Sequence, residues 1–184
     1  PNRLWVADFT YLRTSEGFAY LAFILDVYSR MVVGWQIAPH KRASLVTDAL
    51  EMALCLRRPG PGLTCHTDAG TQYTSIGYTQ DVAAAGMRPS IGRVGDALDN
   101  AMAEAWVATI KTELIRGQVF PSLEAAEHAV LEWIGFYNHH RLHTGLGDVP
   151  PAAYERGLRR TRRPFRPPAR TEQPALSGNP GRPG

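Results

Sequence analysis

Leu4-Trp5-Val6-Ala7-Asp8-Phe9-Thr10-Tyr11-Leu12 decides the architecture. Its aromatic and branched residues favour an extended strand, and apolar groups on both faces suit a central strand covered from two sides. Asp8 sits in the middle. Burying a carboxylate there costs several kcal/mol unless something pairs with it, and the strand itself offers no base. Taken alone, Asp8 reads as a sheet-end aspartate capped by backbone N–H groups or reached by a distant arginine.

Working outward, Phe18–Arg30 and Met31–Ala38 are rich in β-formers and read as two further strands. They form an antiparallel meander with the first, turning at Ser15-Glu16-Gly17 and near Ser29-Arg30. Ser44 is placed to cap a helix carrying Val46, Ala49, Leu50, Ala53 and Leu54 on one face, ended by Arg57, Arg58 and Pro59-Gly60-Pro61-Gly62. Leu63–Thr67 is a short strand ending at Asp68. Thr74 or Ser75 caps a helix with Tyr78, Val82 and Ala85, closed by Gly86. Met87–Ile91 is a fifth strand, and the glycine-bearing loop around Arg93 looks mobile. Asp99 caps a helix running to about Leu114. Ser122 starts the last long helix, with Ala126, Val130, Trp133, Ile134 and Tyr137 on one stripe, and one short turn follows Pro150-Pro151. The order β-β-β-α-β-α-β-α-α implies an α/β fold: a ribonuclease-H-like mixed five-stranded sheet flanked by helices on both faces.

The 184 residues suffice for one domain with a full core, and the 44% hydrophobic and 20% charged shares are those of an ordinary globular protein. The longest apolar run, Phe18–Leu25, is too short to span a membrane, and no signal peptide is read. Cys55 and Cys65 are too far apart for a metal or redox pair and read as buried thiols of a reducing compartment. The chain opens on Pro1, which reads as a fragment or a trimmed product. Up to Tyr154 the net charge is −3, whereas 8 arginines against Glu155 and Glu172 give the remainder +6. The expected division is therefore a core over 1–154 and a basic Arg/Pro/Gly-rich tail over 155–184. Such a tail cannot bury a core, and attracts polyanions with an affinity that falls steeply with salt.

Three carboxylates share one plausible task. Gly70 turns the chain sharply after Asp68, and carboxyl-end sheet edges are where α/β sheets keep their sites. Glu104 lies one turn inside its helix. Asn100, Glu104, Ala108 and Lys111 fall on one face, with Met102, Trp106 and Ile110 opposite. If Asp8, Asp68 and Glu104 converge, charges about 4 Å apart repel by roughly 4 kcal/mol at an effective dielectric near 20. The cluster then protonates or holds cations. Oxygen ligands without thiolates favour hard Mg²⁺ or Mn²⁺, and two ions about 3.5–4 Å apart form the clamp used for in-line phosphoryl displacement.

The stretches W-V-A-D-F-T-Y, H-T-D-A-G-T-Q-Y-T-S, G-D-A-L-D-N-A-M-A-E and Y-N-H-H-R-L-H-T-G-L-G-D-V-P-P together resemble the DDE integrase/transposase catalytic core of bacterial insertion sequences. The 35 residues between Asp68 and Glu104 match the spacing of that family. The resemblance covers Arg3 to about Tyr154, and departs where Ala105-Trp106 replace the serine and phenylalanine of many relatives. It implies Asp8, Asp68 and Glu104 as catalytic metal ligands, Mg²⁺ (or Mn²⁺) as two ions, and DNA as substrate. Lys111 stands where the family has a DNA-contacting base, and Asn100, Arg93, Arg141 and His143 join it as expected DNA contacts. It also implies a homodimer or higher oligomer on DNA and a cytoplasmic, nucleoid-associated bacterial protein. The upstream helix-turn-helix region of such proteins is absent from this sequence, so weak, nonspecific DNA binding is expected. A hydrolysing nuclease of the same fold and a catalytically silent DNA-binding remnant are the alternatives.

Other residues have blander roles. Asp26, beside Tyr28, Ser29 and Arg30, reads as turn-proximal or arginine-paired. His66 shares the strand face of Asp68, either orienting a carboxylate or water or simply packed. His139 and His143 have zinc-like spacing, but with His140 and Arg141 they read as a solvated, DNA-facing or helix-terminal group.

Overall fold

The computed structural model describes residues 1–67, 82–84, 86–91 and 97–161. Its elements are β1 (Leu4–Thr14), β2 (Gly17–Asp26), β3 (Val32–Ala38), α1 (Ala43–Arg57), β4 (Thr64–Thr67), β5 (Arg88–Ile91), α2 (Ala97–Ile110), α3 (Leu123–His139) and α4 (Pro151–Thr161). The sheet order is β3-β2-β1-β4-β5. The first three strands form the expected antiparallel meander, and β4 and β5 add parallel to it. β1 is thus the central strand, and period-2 alternation sends its side chains into two cores. Val6 and Leu12 meet Trp106, Ile110, Val130 and Trp133 on one face. Trp5 and Ala7 meet Leu45, Val46, Ala49 and Leu50 of α1 on the other.

Close approach of α1 to β3 explains one glycine. A Cβ on Gly34 would lie 2.2 Å from the Ala49 carbonyl oxygen and 2.7 Å from Ala53 Cβ. Backbone cannot yield there as a flexible side chain can, so Gly34→Ala should cost about 1–3 kcal/mol. A urea titration with unchanged midpoint would refute that packing.

Several boundaries differ from expectation. β2 ends at Asp26 rather than Arg30, because Asp26 builds the turn. Its buried carboxylate accepts from Ser29 N (3.0 Å), Ser29 Oγ (3.1 Å) and Trp5 Nε1 (3.2 Å), with Arg57 Nη2 at 3.9 Å. Asp26 is therefore both turn-forming and arginine-paired. α1 begins at Ala43 with Arg42 as N-cap and no side-chain cap, so Ser44 lies inside the helix. Its end is as read: Arg58 takes the left-handed conformation and donates to the Leu54 carbonyl. Asp99 is likewise inside α2, whose first residues Ala97 and Leu98 are themselves good helix formers. α2 passes at Lys111 into a π-helical turn reaching Ile115. Ser122 does cap α3, its oxygen accepting from Ala125 N at 3.1 Å.

α4 is 11 residues long, not one turn. Glu155 explains this: it is buried and receives Arg57 Nη1 and Nη2 at 2.9 and 2.7 Å, a bidentate pair that fastens α4 to α1. Cys55 is exposed, against expectation, since it falls off the apolar stripe of α1, while Cys65 is buried. The expected helix after Thr74 lies mostly outside the described residues, as do the loop around Arg93 and residues 162–184. Among the described residues, no helix is long and apolar enough to cross a membrane.

Candidate active site

The candidate site lies on one face of β1. Asp8 lies between Val6 and Leu12, which point into the core under α2 and α3, and alternation puts Asp8 on that same face. It is half-buried, pairs in register with Phe23 of β2, and its Oδ1 accepts the Phe9 N–H at 2.7 Å. β4 runs parallel alongside, with Ala7 opposite Thr67. Asp8 is the next residue on β1, and Asp68 the next in sequence after β4. Asp68, Arg93 and the side chain of Asn100 lie outside the described residues.

Glu104 is supplied by α2, which packs against β1. Its neighbours Ala103 and Trp106 are buried in the core shared with Val6, and this leaves Glu104 exposed at the helix flank. The polar face read from sequence is real: Glu104, Ala108 and Lys111 are all exposed, with Trp106 and Ile110 buried opposite. The donor set is carboxylate oxygen, while the one nearby thiol, Cys65, is buried in the core on the opposite face of the sheet. Those oxygens suit a hard divalent cation. His66 is buried with Nδ1 3.2 Å from Ser90 Oγ, bonded within the sheet.

The segment from Tyr137 to His143 is a clamp rather than a ligand set. Asn138 accepts from Val32 N and donates to Val32 O, both at 2.9 Å, pairing with the edge strand as backbone would. Arg141 donates Nε to Glu113 Oε1 at 2.8 Å, and Trp133 Nε1 reaches Glu113 Oε2 at 3.3 Å. These contacts tie α3 and the residues after it to the π-turn ending α2. His143 lies edge-on to Tyr137 with ring centroids 4.9 Å apart, and is 6% exposed. It is therefore buried rather than solvated, a correction to the sequence reading: packing against Tyr137 claims it for the interior. Arg141 is partly exposed but committed to Glu113. His139 and His140 are exposed at the end of α3, and among the described residues no group of three metal-ligating side chains forms.

Burial, reinforced by the Arg141 and Arg30 charges, lowers the His143 pKa from 6.5 to about 4. The folded chain therefore binds this proton less readily than the unfolded chain. The contribution is fully present above pH 6.5 and is lost as pH falls toward 4. A midpoint rising between pH 4 and 6.5, with a slope flattened in His143→Gln, is the expected outcome of urea titrations across that range. An unchanged slope would count against the buried neutral imidazole. Burial also pushes the Tyr137 phenol well above its usual value, so it stays protonated.

Tyr11 and Arg13 escaped the sequence reading. They face the end of α2 across a cavity of about 570 Å³. The signal was present in an exposed aromatic and a base on a strand otherwise dominated by apolar residues.

A five-stranded mixed sheet with a carboxylate on its central strand, and a second on the helix packed beside it, is the arrangement of a ribonuclease-H-like core. A family model described as Integrase core domain matches residues 1–97, and a second of that description matches 85–151. A putative transposase for insertion sequence element IS986/IS6110 of Mycobacterium tuberculosis is 46% identical over 161 residues, 84% of this chain. The transposase for IS629 of Shigella sonnei is 44% identical over 85% of it. The chain belongs to the integrase-core family. It spans 58% and 52% of the lengths of those two relatives. Among solved structures, a simian T-cell lymphotropic virus intasome matches with a TM-score of 0.72 at 17% identity, covering 97% of this chain and 61% of the other. The HTLV-2 integrase catalytic core in complex with magnesium matches at 0.63 and 17%, covering 81% and 93%. Both likenesses bear out the ribonuclease-H-like fold.

Proposed function

We propose that this chain is the catalytic core of a transposase that cuts DNA at an element end and joins the freed 3′-OH to another DNA phosphate. The observation that carries this is the placement of Asp8 on the central strand, on the face against which the helix bearing Glu104 packs, in a chain of the integrase-core family. Asp8, Asp68 and Glu104 would hold Mg²⁺ or Mn²⁺, two ions in the proposed arrangement. Bound there, the ions supply Lewis acidity at the attacking and leaving oxygens. The chain's own part is to position the carboxylates for the ions and the scissile phosphate, where placement matters more than a protein nucleophile. Lys111, about 10 Å along the helix from Glu104, offers a charge to the DNA backbone, and Arg93 and Asn100 are proposed as further contacts. A homodimer or higher oligomer on DNA, in the bacterial cytoplasm, belongs to the same proposal.

The test supplies a labelled duplex with a pre-cleaved 3′-OH end, target DNA and Mn²⁺. Wild-type chain should yield joined product, and Asp68→Asn should lose more than about a hundredfold, since even outer partners of metal ligands are worth 10–100-fold. Hydrolysis without joining would favour a nuclease. Equal activity in both proteins would remove the metal assignment.

A further inference from the structure

A groove lies beyond Glu104 on the same side of α2, between the far end of β1 and the π-turn. Tyr11 and Arg13 come from β1; Ala108, Lys111, Thr112 and Arg116 line the other side. Three features set it apart from ordinary surface. Its volume of about 570 Å³ falls within the range of ligand-binding clefts. Among the described residues, three cations and no carboxylate line it. Tyr11 is 49% exposed, with the Lys111 ammonium 5.4 Å from its ring centroid and Phe18 edge-on at 5.5 Å. The ring is thus held by two neighbours while half its residue surface remains open.

Phosphate contacts alone suffice to hold a duplex nonspecifically. A cationic groove joined to an accessible aromatic face is instead the combination that holds unpaired nucleotides, the cations following the backbone and the ring stacking a base. The groove also continues the face that carries Glu104: Ala108 and Lys111 stand four and seven residues further along the helix. We infer that it binds single-stranded DNA, seating the unpaired nucleotides next to the scissile phosphate with one base on Tyr11. The position next to the scissile phosphate rests on the proposed function; the single-strand binding does not.

Fluorescence anisotropy in EDTA separates the two, because no metal and no chemistry are involved. The 184-residue chain is titrated with a labelled single strand and with a blunt duplex of the same sequence. Wild type should favour the single strand. Tyr11→Ala should weaken that binding roughly fivefold to a hundredfold, the worth of one stacked base, with little effect on duplex. Tyr11→Phe should retain it. Lys111→Ala should weaken both substrates and lower the single-strand salt slope by about 0.7. Matching circular dichroism melts confirm that the variants fold. Equal affinity of wild type for both substrates, or equal losses on both in Tyr11→Ala, overturns the inference. Single-strand binding without any strand joining would leave it standing and overturn only the catalytic reading.

Discussion

Trp106→Ala should lower the unfolding free energy by about 3–5 kcal/mol, a large part of the 5–15 kcal/mol that holds a domain of this size. The indole is 2% exposed and sits where strand, α2 and α3 meet. Its ring centroid lies 3.9 Å from Phe23, 5.6 Å from Trp133 and 6.3 Å from Tyr137. Truncation would open a void that these large rings, anchored on β2 and α3, cannot collapse to fill. The same residue is two positions from Glu104, so the side of α2 that fixes the glutamate would loosen. Trp106→Phe should behave quite differently. The buried indole N–H has no hydrogen-bond acceptor among the described residues. Phenylalanine removes that unsatisfied donor, worth about 1–3 kcal/mol, against the lost ring volume. Urea midpoints should therefore rank wild type and Phe close together, with Ala far below. A Phe variant as unstable as Ala would mean that the N–H does have a partner.

What the sequence made legible was what short-range chemistry controls. β1 could be read because branched and aromatic residues crowd one short stretch. The α3 stripe could be read because a serine cap precedes five apolar residues at helical spacing, all buried as expected. Glu104 could be placed because Ala108 and Lys111 share its face while Trp106 and Ile110 oppose it. The errors fall where a distant residue overrides local preference. Nothing near Glu155 in sequence reports that Arg57, 98 residues earlier, will bind it and prolong α4. His143 read as solvated, DNA-facing or helix-terminal because its cluster ends a helix beside Arg141, yet Glu113 takes up that arginine and Tyr137 covers the imidazole. The groove at Tyr11 needed the π-turn at Lys111–Ile115 to bring Arg116 opposite β1, and helical periodicity cannot foresee that turn.

Asp8→Asn should raise the stability of the metal-free chain while abolishing strand cleavage and joining, and that opposition is the signature of a functional carboxylate. The substitution is isosteric. Asparagine Oδ1 can still accept the Phe9 N–H that Asp8 accepts at 2.7 Å, so this backbone contact survives. What changes is one negative charge. On the proposed arrangement that charge opposes those of Asp68 and Glu104. Full repulsion at contact would be about 4 kcal/mol per pair, but Asp8 is only half-buried and Glu104 exposed, so solvent screens most of it. A gain of about 1 kcal/mol is the reasonable expectation. Added Mg²⁺ should reverse the order. An ion present at a hundred times its dissociation constant stabilises the folded wild type by about 2.7 kcal/mol, and a variant lacking one ligand should gain much less. Thermal melts of both proteins with EDTA and with Mg²⁺, set beside the joining assay, supply all four comparisons. A variant that melts lower in EDTA, responds equally to Mg²⁺ and still joins DNA would show Asp8 to be a structural carboxylate of the sheet.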